Sequence, residues 1–510
     1  MNNETFDKMN TSLLMALAAL VVVTATGCFN VEGEERVEGV LASHGLGRLG
    51  SCDEVERYAK DAAIERMTAR LEAQLVEMER WWDWSDDFDG DDDMAGAEAS
   101  ADADADADVG GGSSGGYHSE TNTQESGVDE ADLVKTDGDW IFVLSEGQLV
   151  IVDAGADGQL DEASRVEVGG YPEELLLYGD LAVVFASVGA DDVSAEIRQP
   201  EGQGDDWGDG WAEPGWDEEY PYGSAGYTRI ALIDIADRAV PVTVRTIEYA
   251  GSYVTSRRVD GGLRVVLSTG LPALEVPTYV DWWEFESLPE SFARAAMRRA
   301  VSERIKDNKE IIEAATFEEI MPRKLDVIVD AAEEPASQPI AECGDFYGPE
   351  TPAGAGLLTV VSLDLDDPRG QQTDISVFGD QGLVYASSES LYLTTSRDYV
   401  FEAWESGLWE EETSGIHKFD IATTPTEALY VATGTAPGRM LNQFCLGEHE
   451  GFLRVGTTTG APWDPETLDN HLLVFGEEAG ELALVGSLDG IGSGEEIYAA
   501  RFLGDRGFMV

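Results

Sequence analysis

The stretch ESGVDEADLVKTDGDWIFVLS, Glu125–Ser145, contains the letters D-E-A-D at Asp129–Asp132. In an RNA helicase these letters end a hydrophobic strand, and a phosphate-binding loop with a lysine lies upstream. Here polar residues and a glycine precede Val128, and the chain has no G-x-x-x-x-G-K loop. The four letters are therefore coincidental.

The residues that follow the four letters predict two strands joined by a turn. LVK and WIFVLS are short and rich in β-branched or aromatic residues, and Asp137–Gly138 between them is a turn signal. These strands begin a folded region, and we predict a structural charge cluster where it starts. The cluster comprises four residues: Asp129, Glu130, Asp132 and Lys135. The alternative is that these residues line a binding site.

Similar strands recur through the rest of the chain. LAVVFAS, RIALIDIA, LLTVVSLDL, IHKFDIA and HLLVFG are each short and apolar, with Gly, Asp or Pro between them. A unit of three or four strands recurs at intervals of roughly 45 to 60 residues, which is the pattern of a β-propeller. A sandwich lacks such a repeat, and an α/β sheet needs helices between strands. We predict an all-β fold, a β-propeller domain over residues 117–510.

Four stretches carry a resemblance to a known family. They are TNTQESGVDEADLVKTDGDWIFVLS, SGIHKFDI, LNQFCLGEHEGFLRVGTTTG and ARFLGDRGFMV. Together they resemble successive signatures of the bacterial and archaeal secreted β-propeller domain family, distantly related to WD-type repeats, over Thr121–Val510. Cys445, where a small polar residue is expected, and an unusual insert depart from that pattern. The resemblance implies a fold and a location outside the cytoplasm. The family supplies no established activity from which this chain's chemistry could be inferred.

The strand count bears on how the propeller closes. We count about five blades followed by the beginning of another in EEIYAARFLGDRGFMV. Because a propeller must close its ring, we expect the domain to be incomplete at Val510 and the reading frame to continue beyond it.

Two inserts interrupt the blades. Residues 272–340 contain a predicted helix opened by Ser287 and Glu290, with Pro289 early in it; the helix either packs on the propeller's side or covers the channel as a lid. Its apolar stripe comprises Phe292, Ala296, Met297, Val301, Ile305 and Ile312. Residues 202–223 form either a flexible excursion or a surface that binds sugar rings or a protein through five aromatic side chains: Trp207, Trp211, Trp216, Tyr220 and Tyr222.

The first 28 residues are a targeting segment. An apolar run from Leu13 to Val23 is too short for a comfortable membrane span and is followed by small residues and Cys28. The segment resembles a bacterial lipoprotein signal, which implies that Cys28 is acylated and anchors the chain in a membrane. Phe29, rather than Asp, after the cysteine implies the outer membrane. A plain secretory signal, with release of the protein, is the alternative.

A helix and an acidic linker separate this signal from the propeller. Within residues 29–82 we predict a helix over 52–82, opened by a capping box of Ser51 and Glu54. Its apolar stripe docks on the main domain or pairs with a second helix. Residues 83–116 are rich in Asp, Gly and Ser; from Asp83 to Asp108 there are 12 acidic residues and no basic one. Such a segment has nothing to bury, so we predict a disordered linker.

Composition limits the partners. The chain of 510 residues has 101 acidic and 32 basic residues, a formal net charge of -69. Nucleic-acid affinity comes mostly from Lys and Arg that displace condensed counterions, so nucleic acid is not an expected partner. The acidic surface is typical of a protein kept soluble in salt, and loose Ca²⁺ binding by acidic segments is the alternative.

Three cysteines remain if Cys28 is acylated, so one thiol is free or pairs between chains. Cys343 and Cys445 both lie in the strand-rich part of the chain, so we predict a disulfide between them. The sequence itself does not determine the connectivity.

The sequence carries no recognisable catalytic constellation. It has no H-E-x-x-H, its five histidines are scattered, and the G-x-S-x-G at Gly111–Gly115 lies in the linker rather than between a strand and a helix. We expect no metal site, cofactor or catalytic residue. Two functions stay open: a lipid-anchored binding or scaffold module for a protein or polysaccharide, and an extracytoplasmic hydrolase or lyase with its site at the propeller channel.

Overall fold

A computed structural model describes most of the chain from Gly45 onward, together with a two-residue strand before it. The aromatic insert 202–223 and the linker from residue 87 to its predicted end lie outside the described residues, which are 23–24, 45–86, 123–155, 159–198, 226–271, 276–277, 279–281, 285, 287–332, 334–349, 354, 356–396, 413–462 and 464–510.

Three short strands precede the blades and join sheets formed later in the chain. They are β1 (Val23–Thr24), β2 (Leu46–Arg48) and β3 (Val128–Glu130). The first blade then comprises β4 (Val134–Thr136), β5 (Trp140–Ser145), β6 (Gln148–Asp153) and β7 (Asp161–Glu167), in that order and antiparallel.

Blades 2 and 3 follow with an insertion between them. Blade 2 has β8 (Tyr171–Tyr178), β9 (Leu181–Val188), β10 (Tyr227–Asp234) and β11 (Val242–Ala250). Blade 3 begins with β12 (Ser252–Val259) and β13 (Gly262–Gly270). The insertion contributes β14 (Arg323–Ile328), β15 (Gln338–Pro339) and β16 (Phe346–Pro349), and blade 3 ends with β17 (Gly356–Asp364) and β18 (Thr373–Phe378).

Blades 4 and 5 and a final hairpin complete the described chain. Blade 4 has β19 (Asp380–Ala386), β20 (Ser390–Ser396), β21 (Thr413–Asp420) and β22 (Leu429–Pro437). Blade 5 has β23 (Leu446–His449), β24 (Phe452–Thr459), β25 (Asp469–Glu478) and β26 (Glu481–Leu488). A final hairpin pairs β27 (Ala500–Leu503) with β28 (Arg506–Met509), and β1 pairs with β28.

The hydrophobic cores lie between successive blades. One cluster joins blades 1 and 2, another joins blades 2 and 3, and others join blade 3 to 4 and blade 4 to 5. A strand between two cores is apolar on both faces, which is why β9 reads LAVVFASV and is buried almost throughout. The prediction of an all-β propeller with a helical insertion is confirmed.

A basic side chain connects the blades at each of these junctions. Arg238 bridges Asp137 and Asp180 at the junction of blades 1 and 2. At the junction of blades 3 and 4, Arg264 is 1% exposed and donates to the carbonyls of a loop of blade 4, and its burial lowers its pKa to about 10. Lys418 of blade 4 pairs with Glu448 of blade 5 at 3.5 Å.

The insertion links blades 2 and 3. Its strand β14 adds to the outer edge of blade 2 beside β11, and β16 adds to the outer edge of blade 3 beside β18. Arg245, 2% exposed, forms an ion pair of 2.6 Å with Asp326 of β14 and donates to the Gln372 side chain before β18. Lys324 of β14 pairs with Asp374 of β18. The insertion therefore packs on the propeller's side, as one of the two interpretations of the sequence predicts.

Two long helices pack together on this side of the ring. Helix α1 spans Cys52–Asp86, helix α2 spans Glu290–Ala314, and the short α3 spans Phe317–Ile320. Met67 and Leu71 of α1 share a buried cluster with Met297 and Val301 of α2. The start of α1 also reaches the core between blades 2 and 3, so the helix both pairs with a second helix and docks on the propeller.

The helix starts differ in part from the prediction. The Ser51 hydroxyl accepts from the Glu54 amide as expected, but the Glu54 carboxylate accepts from Gly50 instead of from Ser51. Helix α2 has Pro289 as its N-cap and no side-chain cap, so Ser287 is not the residue that caps the helix. Phe292 is exposed and does not belong to the buried stripe.

The disulfide predicted between Cys343 and Cys445 is wrong. Cys343 is bonded to Cys52 at the start of α1, with 4.9 Å between the Cα atoms, and Cys445 is free and buried. Cys445 lies where the innermost strand of blade 5 begins, whereas Cys343 lies beside β16 at the outer edge of blade 3. Because the Cys343 sulfur is already bonded to Cys52, it has no thiol left to pair with Cys445.

We predict that this disulfide stabilises the attachment of α1. Cys52→Ser and Cys343→Ser should each lower the free energy of unfolding by about 2–4 kcal/mol, because the bond closes a very long loop in the unfolded chain. The double variant should be no less stable than either single one. Denaturant unfolding would measure this, with Ser51→Ala as a neighbouring control that keeps the bond. Equal stability of wild type and single variants would contradict the prediction.

Candidate functional site

The centre of the ring contains the residues that carry the D-E-A-D letters and those just before them. Thr123–Asp132, named the channel segment, contacts the innermost strands of blades 2 to 5. The Gln124 amide donates to backbone oxygens at the start of blade 5, and β3 pairs with β12 of blade 3. Asp132 exchanges two backbone hydrogen bonds, of 3.1 and 2.8 Å, with Leu175 of blade 2. The chain therefore contacts the inner strands of four blades before it begins blade 1.

A glycine allows the channel segment to turn. Gly127 has φ of 84°, a left-handed conformation that glycine adopts without steric cost. The amide of Val128 donates to the carbonyl of Glu125 across this turn, and the Val128 side chain is buried against blades 3 and 4. The turn thus places the acidic residues of the D-E-A-D letters alongside β12.

The predicted charge cluster is brought together here. Lys135 is buried and pairs with Asp129 at 2.8 Å, and its ammonium also donates to the carbonyl of Glu130. Arg258 of β12 binds the other oxygen of Asp129 at 2.9 Å. The Asp132 carboxylate accepts from the amide of the next residue, Leu133. The other three predicted residues share one network.

Arg257 connects the channel segment to a more distant blade. Its guanidinium is buried, lies 3.5 Å from the Glu130 carboxylate, and donates at 2.7 Å to Gln443 beside blade 5. It also donates to the carbonyl of Ser256. One side chain therefore joins blade 3, blade 5 and the channel segment, a role that spacing along the sequence does not disclose.

Two tyrosines complete the polar contacts of the centre. The Tyr385 hydroxyl donates to Glu125 at 2.8 Å and accepts from the Glu448 amide, and burial raises its pKa. Tyr253 donates to Glu174 at 2.6 Å. Burial is the main cause that raises the pKa of the Glu174 carboxyl, and Asp132 nearby raises it further, whereas the bond from Tyr253 lowers it.

Two histidines that the sequence analysis left as scattered lie on equivalent strands. His417, on the third strand of blade 4, lies between the hydroxyls of Thr395 and Thr433, at 3.0 and 2.8 Å. His471, on the third strand of blade 5, lies between Thr459 at 3.0 Å and Asp489 at 2.9 Å.

The second histidine has the order of a hydroxyl–imidazole–carboxylate triad. His417 in blade 4 likewise lies between two side chains on the flanking strands, so the recurring feature is a histidine that connects three strands. The sequence signal for this feature is a strand with a histidine next to a strand rich in threonine, as in IHKF and LTTS.

The remaining predicted site residues fall into two groups. Cys28 and the aromatic insert lie outside the described residues, so their roles stay predictions. Cys445 is buried beside the final hairpin, and burial raises the pKa of its thiol, which disfavours a reactive thiolate. Within the described parts of the chain, no group of three His, Cys, Asp or Glu side chains is arranged to hold a metal ion. None of the described helices is long and apolar enough to cross a membrane.

We predict that the Asp129–Arg258 pair couples the channel segment to blade 3. Both side chains are mostly buried, so a double-mutant cycle with Asp129→Ala and Arg258→Ala should give a coupling of about 1–2 kcal/mol in the free energy of unfolding. The exposed helical pair Arg299–Glu303 serves as the control and should give about 0.3–0.5 kcal/mol. Similar coupling in both pairs would show that the channel segment does not hold the ring together.

Comparison with known proteins agrees with this architecture. Residues 118–510 match the family model described as the beta propeller domain. An uncharacterised protein of Methanocaldococcus jannaschii is 22% identical over 412 residues, which are 77% of this chain and 57% of that protein. An uncharacterised protein of Archaeoglobus fulgidus is 36% identical over 142 residues, 28% of this chain and 21% of that protein. The chain thus spans less than two thirds of the length of either relative.

A solved structure also shows a distant likeness. Hsv2 of Kluyveromyces lactis aligns over 70% of this chain and 86% of its own, at 9% identity and a TM-score of 0.24. That score carries no argument about fold or function. The match to the family model covers most of the chain and coincides with the strands of all the blades, so the protein belongs to the beta propeller domain family.

Proposed function

We propose that this protein is a binding or scaffold module held at the cell envelope by a lipid on Cys28, and that its ligand is a protein or a polysaccharide. A β-propeller domain generally serves as such a module. Beyond this general role, we propose a lipid anchor on Cys28, a place at the cell envelope, and a protein or polysaccharide ligand. Phe29 after the cysteine favours the outer membrane.

The engagement of the basic side chains at the inner strands by the channel segment is the observation that carries the proposal. A propeller enzyme with its site in the channel needs groups that converge on open space. In the described part of this channel, Arg257, Arg258 and Lys135 are instead engaged with the carboxylates of the channel segment and with Gln443. These contacts favour a ligand on the outer surfaces over a substrate in the channel, the site that the alternative hydrolase or lyase would use.

The two inserts leave the ring from equivalent positions. The aromatic insert connects β9 to β10, and the helical insertion connects β13 to β17, so each joins the second and third strands of its blade. In antiparallel blades these connections emerge at the same face. Both inserts therefore begin at one face, which supports a ligand-binding surface there, and the rest of the helical insertion continues to the propeller's side.

The composition of the aromatic insert supports the ligand class. Trp207, Trp211, Trp216, Tyr220 and Tyr222 stand among acidic residues, a combination too polar for a core. Aromatic side chains stack on sugar rings and are enriched at protein interfaces. The acidic residues around them favour a ligand that is neutral or basic, and they could also collect Ca²⁺ loosely.

We expect the aromatic residues of the insert to be needed for ligand capture. The complete protein, immobilised, should retain a specific envelope protein or polysaccharide, and the triple variant Trp207→Ala, Trp211→Ala, Trp216→Ala should lose it, because the stacking surfaces are removed. Tyr171→Ala with Tyr498→Ala is the matched control, since both tyrosines are highly exposed on described strands or loops. Equal retention by both variants would refute the insert as the binding surface. Turnover of a retained polysaccharide would favour the enzyme instead.

Membrane attachment should depend on Cys28. Cys28→Ser removes the thiol that would carry the lipid, so the variant should leave the membrane fraction after a high-salt wash, while the wild type stays. Cys445→Ser is the control because it removes the other unbonded thiol. Fractionation of the Cys28→Ser variant like the wild type would rule out the lipid anchor.

A further inference from the structure

One ion pair at the junction of blades 2 and 3 joins a lysine and an aspartate that are both withdrawn from water. Lys324 lies on β14 at the outer edge of blade 2, and its ammonium contacts Oδ2 of Asp374 on β18 of blade 3. The Lys324 side chain is 13% exposed and the Asp374 side chain 1% exposed. Two charges in such a place lose most of their hydration, and their attraction has to offset that loss.

Two neutral groups also donate to Asp374. The Tyr249 hydroxyl donates to Oδ1 at 2.9 Å, and the Gln372 amide donates to Oδ2, the oxygen that contacts Lys324, at 3.4 Å. Tyr249 is fully buried, and this burial raises its pKa. Its hydroxyl therefore keeps its proton and remains a donor to the carboxyl group.

Arg245 fixes the orientation of these donors. It donates to Oε1 of Gln372 at 2.8 Å, and an arginine has no acceptor, so the amide oxygen faces Arg245 and the NH₂ faces Tyr249. That NH₂ donates to the Tyr249 hydroxyl at 2.7 Å, which directs the hydroxyl proton toward Asp374. Asp326 pairs with Arg245 at 2.6 Å, so a carboxylate other than Asp374 compensates this arginine.

A second lysine–aspartate pair has different surroundings. Lys135 contacts one oxygen of Asp129 at 2.8 Å, and Arg258 binds the other oxygen at 2.9 Å. Because a guanidinium stays charged at any physiological pH, it holds Asp129 as a carboxylate, whose carbon resists nucleophilic attack. In the pair between blades 2 and 3, a tyrosine hydroxyl stands in the place of that arginine. The two pairs therefore differ in chemical reactivity.

We propose that Lys324 and Asp374 react with each other in the folded protein and form an isopeptide bond between blades 2 and 3. The proton between Nζ and Oδ2 passes to Oδ2, which gives a neutral amine beside a carboxylic acid. Nζ then attacks Cγ, and the Tyr249 hydroxyl stabilises the negative charge that develops on Oδ1. A second proton moves from nitrogen to Oδ2, the Cγ–Oδ2 bond breaks, and water leaves with both electrons of that bond.

The reaction needs no co-reactant. The ammonium and the carboxylate of the pair together contain every atom of the amide and of the released water, and no atom is oxidised or reduced. A neutral amide replaces two buried charges, which favours the product in a site with little water. Because Nζ is held beside the carboxyl group, an intramolecular step replaces a bimolecular encounter and gains its high effective concentration. The bond fixes the outer edge of blade 2 to blade 3.

Peptide mass spectrometry of the full chain tests the bond. The protein is collected at intervals after a pulse of synthesis, denatured, reduced to open the disulfide and digested with trypsin. We expect a branched peptide in which residues 324–369 are joined to residues 370–397, lighter than the two separate peptides by about 18 Da, one water. Trypsin does not cut after a lysine whose amine is acylated, whereas unmodified Lys324 releases a peptide that begins at Leu325.

Three variants separate the parts of the mechanism. Lys324→Arg keeps the positive charge but lacks the amine, so it should give no branched peptide. Tyr249→Phe removes the donor to Oδ1 and should slow the appearance of the branched peptide at least roughly tenfold. Tyr253→Phe is the matched control, because Tyr253 also donates to a carboxylate, that of Glu174, and its loss should leave the rate unchanged.

The purified, folded wild-type protein decides the proposal even if a variant does not fold. Separate peptides alone in that protein would overturn it and leave Lys324 and Asp374 as an ion pair. A branched peptide in Lys324→Arg would also overturn it, since the bond would then involve another residue. Equal rates in Tyr249→Phe and in the wild type would contradict the stabilisation of Oδ1 by Tyr249.

Discussion

The fold depends on basic side chains placed between blades of a very acidic chain. With 101 acidic and 32 basic residues, self-repulsion opposes every compact state. At the blade junctions, Arg238, Arg245, Arg264 and Lys418 lie against carboxylates or carbonyl oxygens contributed by the neighbouring blade. Because an arginine has five donors in a fixed geometry, one side chain satisfies several oxygens that a blade by itself would leave unpaired. The apolar cores give the junctions most of their stability, and these cations determine how the blades meet.

The same principle operates at the centre of the ring. The channel segment brings acidic side chains to a place where Arg257, Arg258 and Lys135 converge, so its charges compensate theirs. A segment that contacts four blades before it begins the first one connects parts of the chain separated by hundreds of residues. The centre of this propeller is thus a structural element.

The strands and blades could be predicted from the sequence because their pattern is local and repeats. The disulfide and the partners of the charge cluster could not, because they depend on contacts between distant residues. Strands such as LAVVFASV and RIALID, separated by turns, are sufficient to predict blades because burial between two sheets requires apolar residues on both faces. The cysteine pairing failed because α1 returns to the edge of blade 3, and no local pattern records that return. The start of α2 was misplaced because Pro289, with its fixed φ, occupies the N-cap position that the pattern assigned to Ser287. In the channel, the residue types at Asp129 and Lys135 indicated a cluster, but its partners Arg257 and Arg258 come from a strand more than 100 residues later.

The bond between Cys52 and Cys343 has a mechanical consequence. It closes a covalent ring that contains α1, the acidic linker, the channel segment, blades 1 and 2 and most of the insertion. A force applied to the chain before Cys52 therefore passes directly to the outer edge of blade 3, which the insertion joins to blade 2. The linker between α1 and the channel segment carries none of that load. The centre of the propeller is in this way isolated from tension on the N-terminal part of the chain.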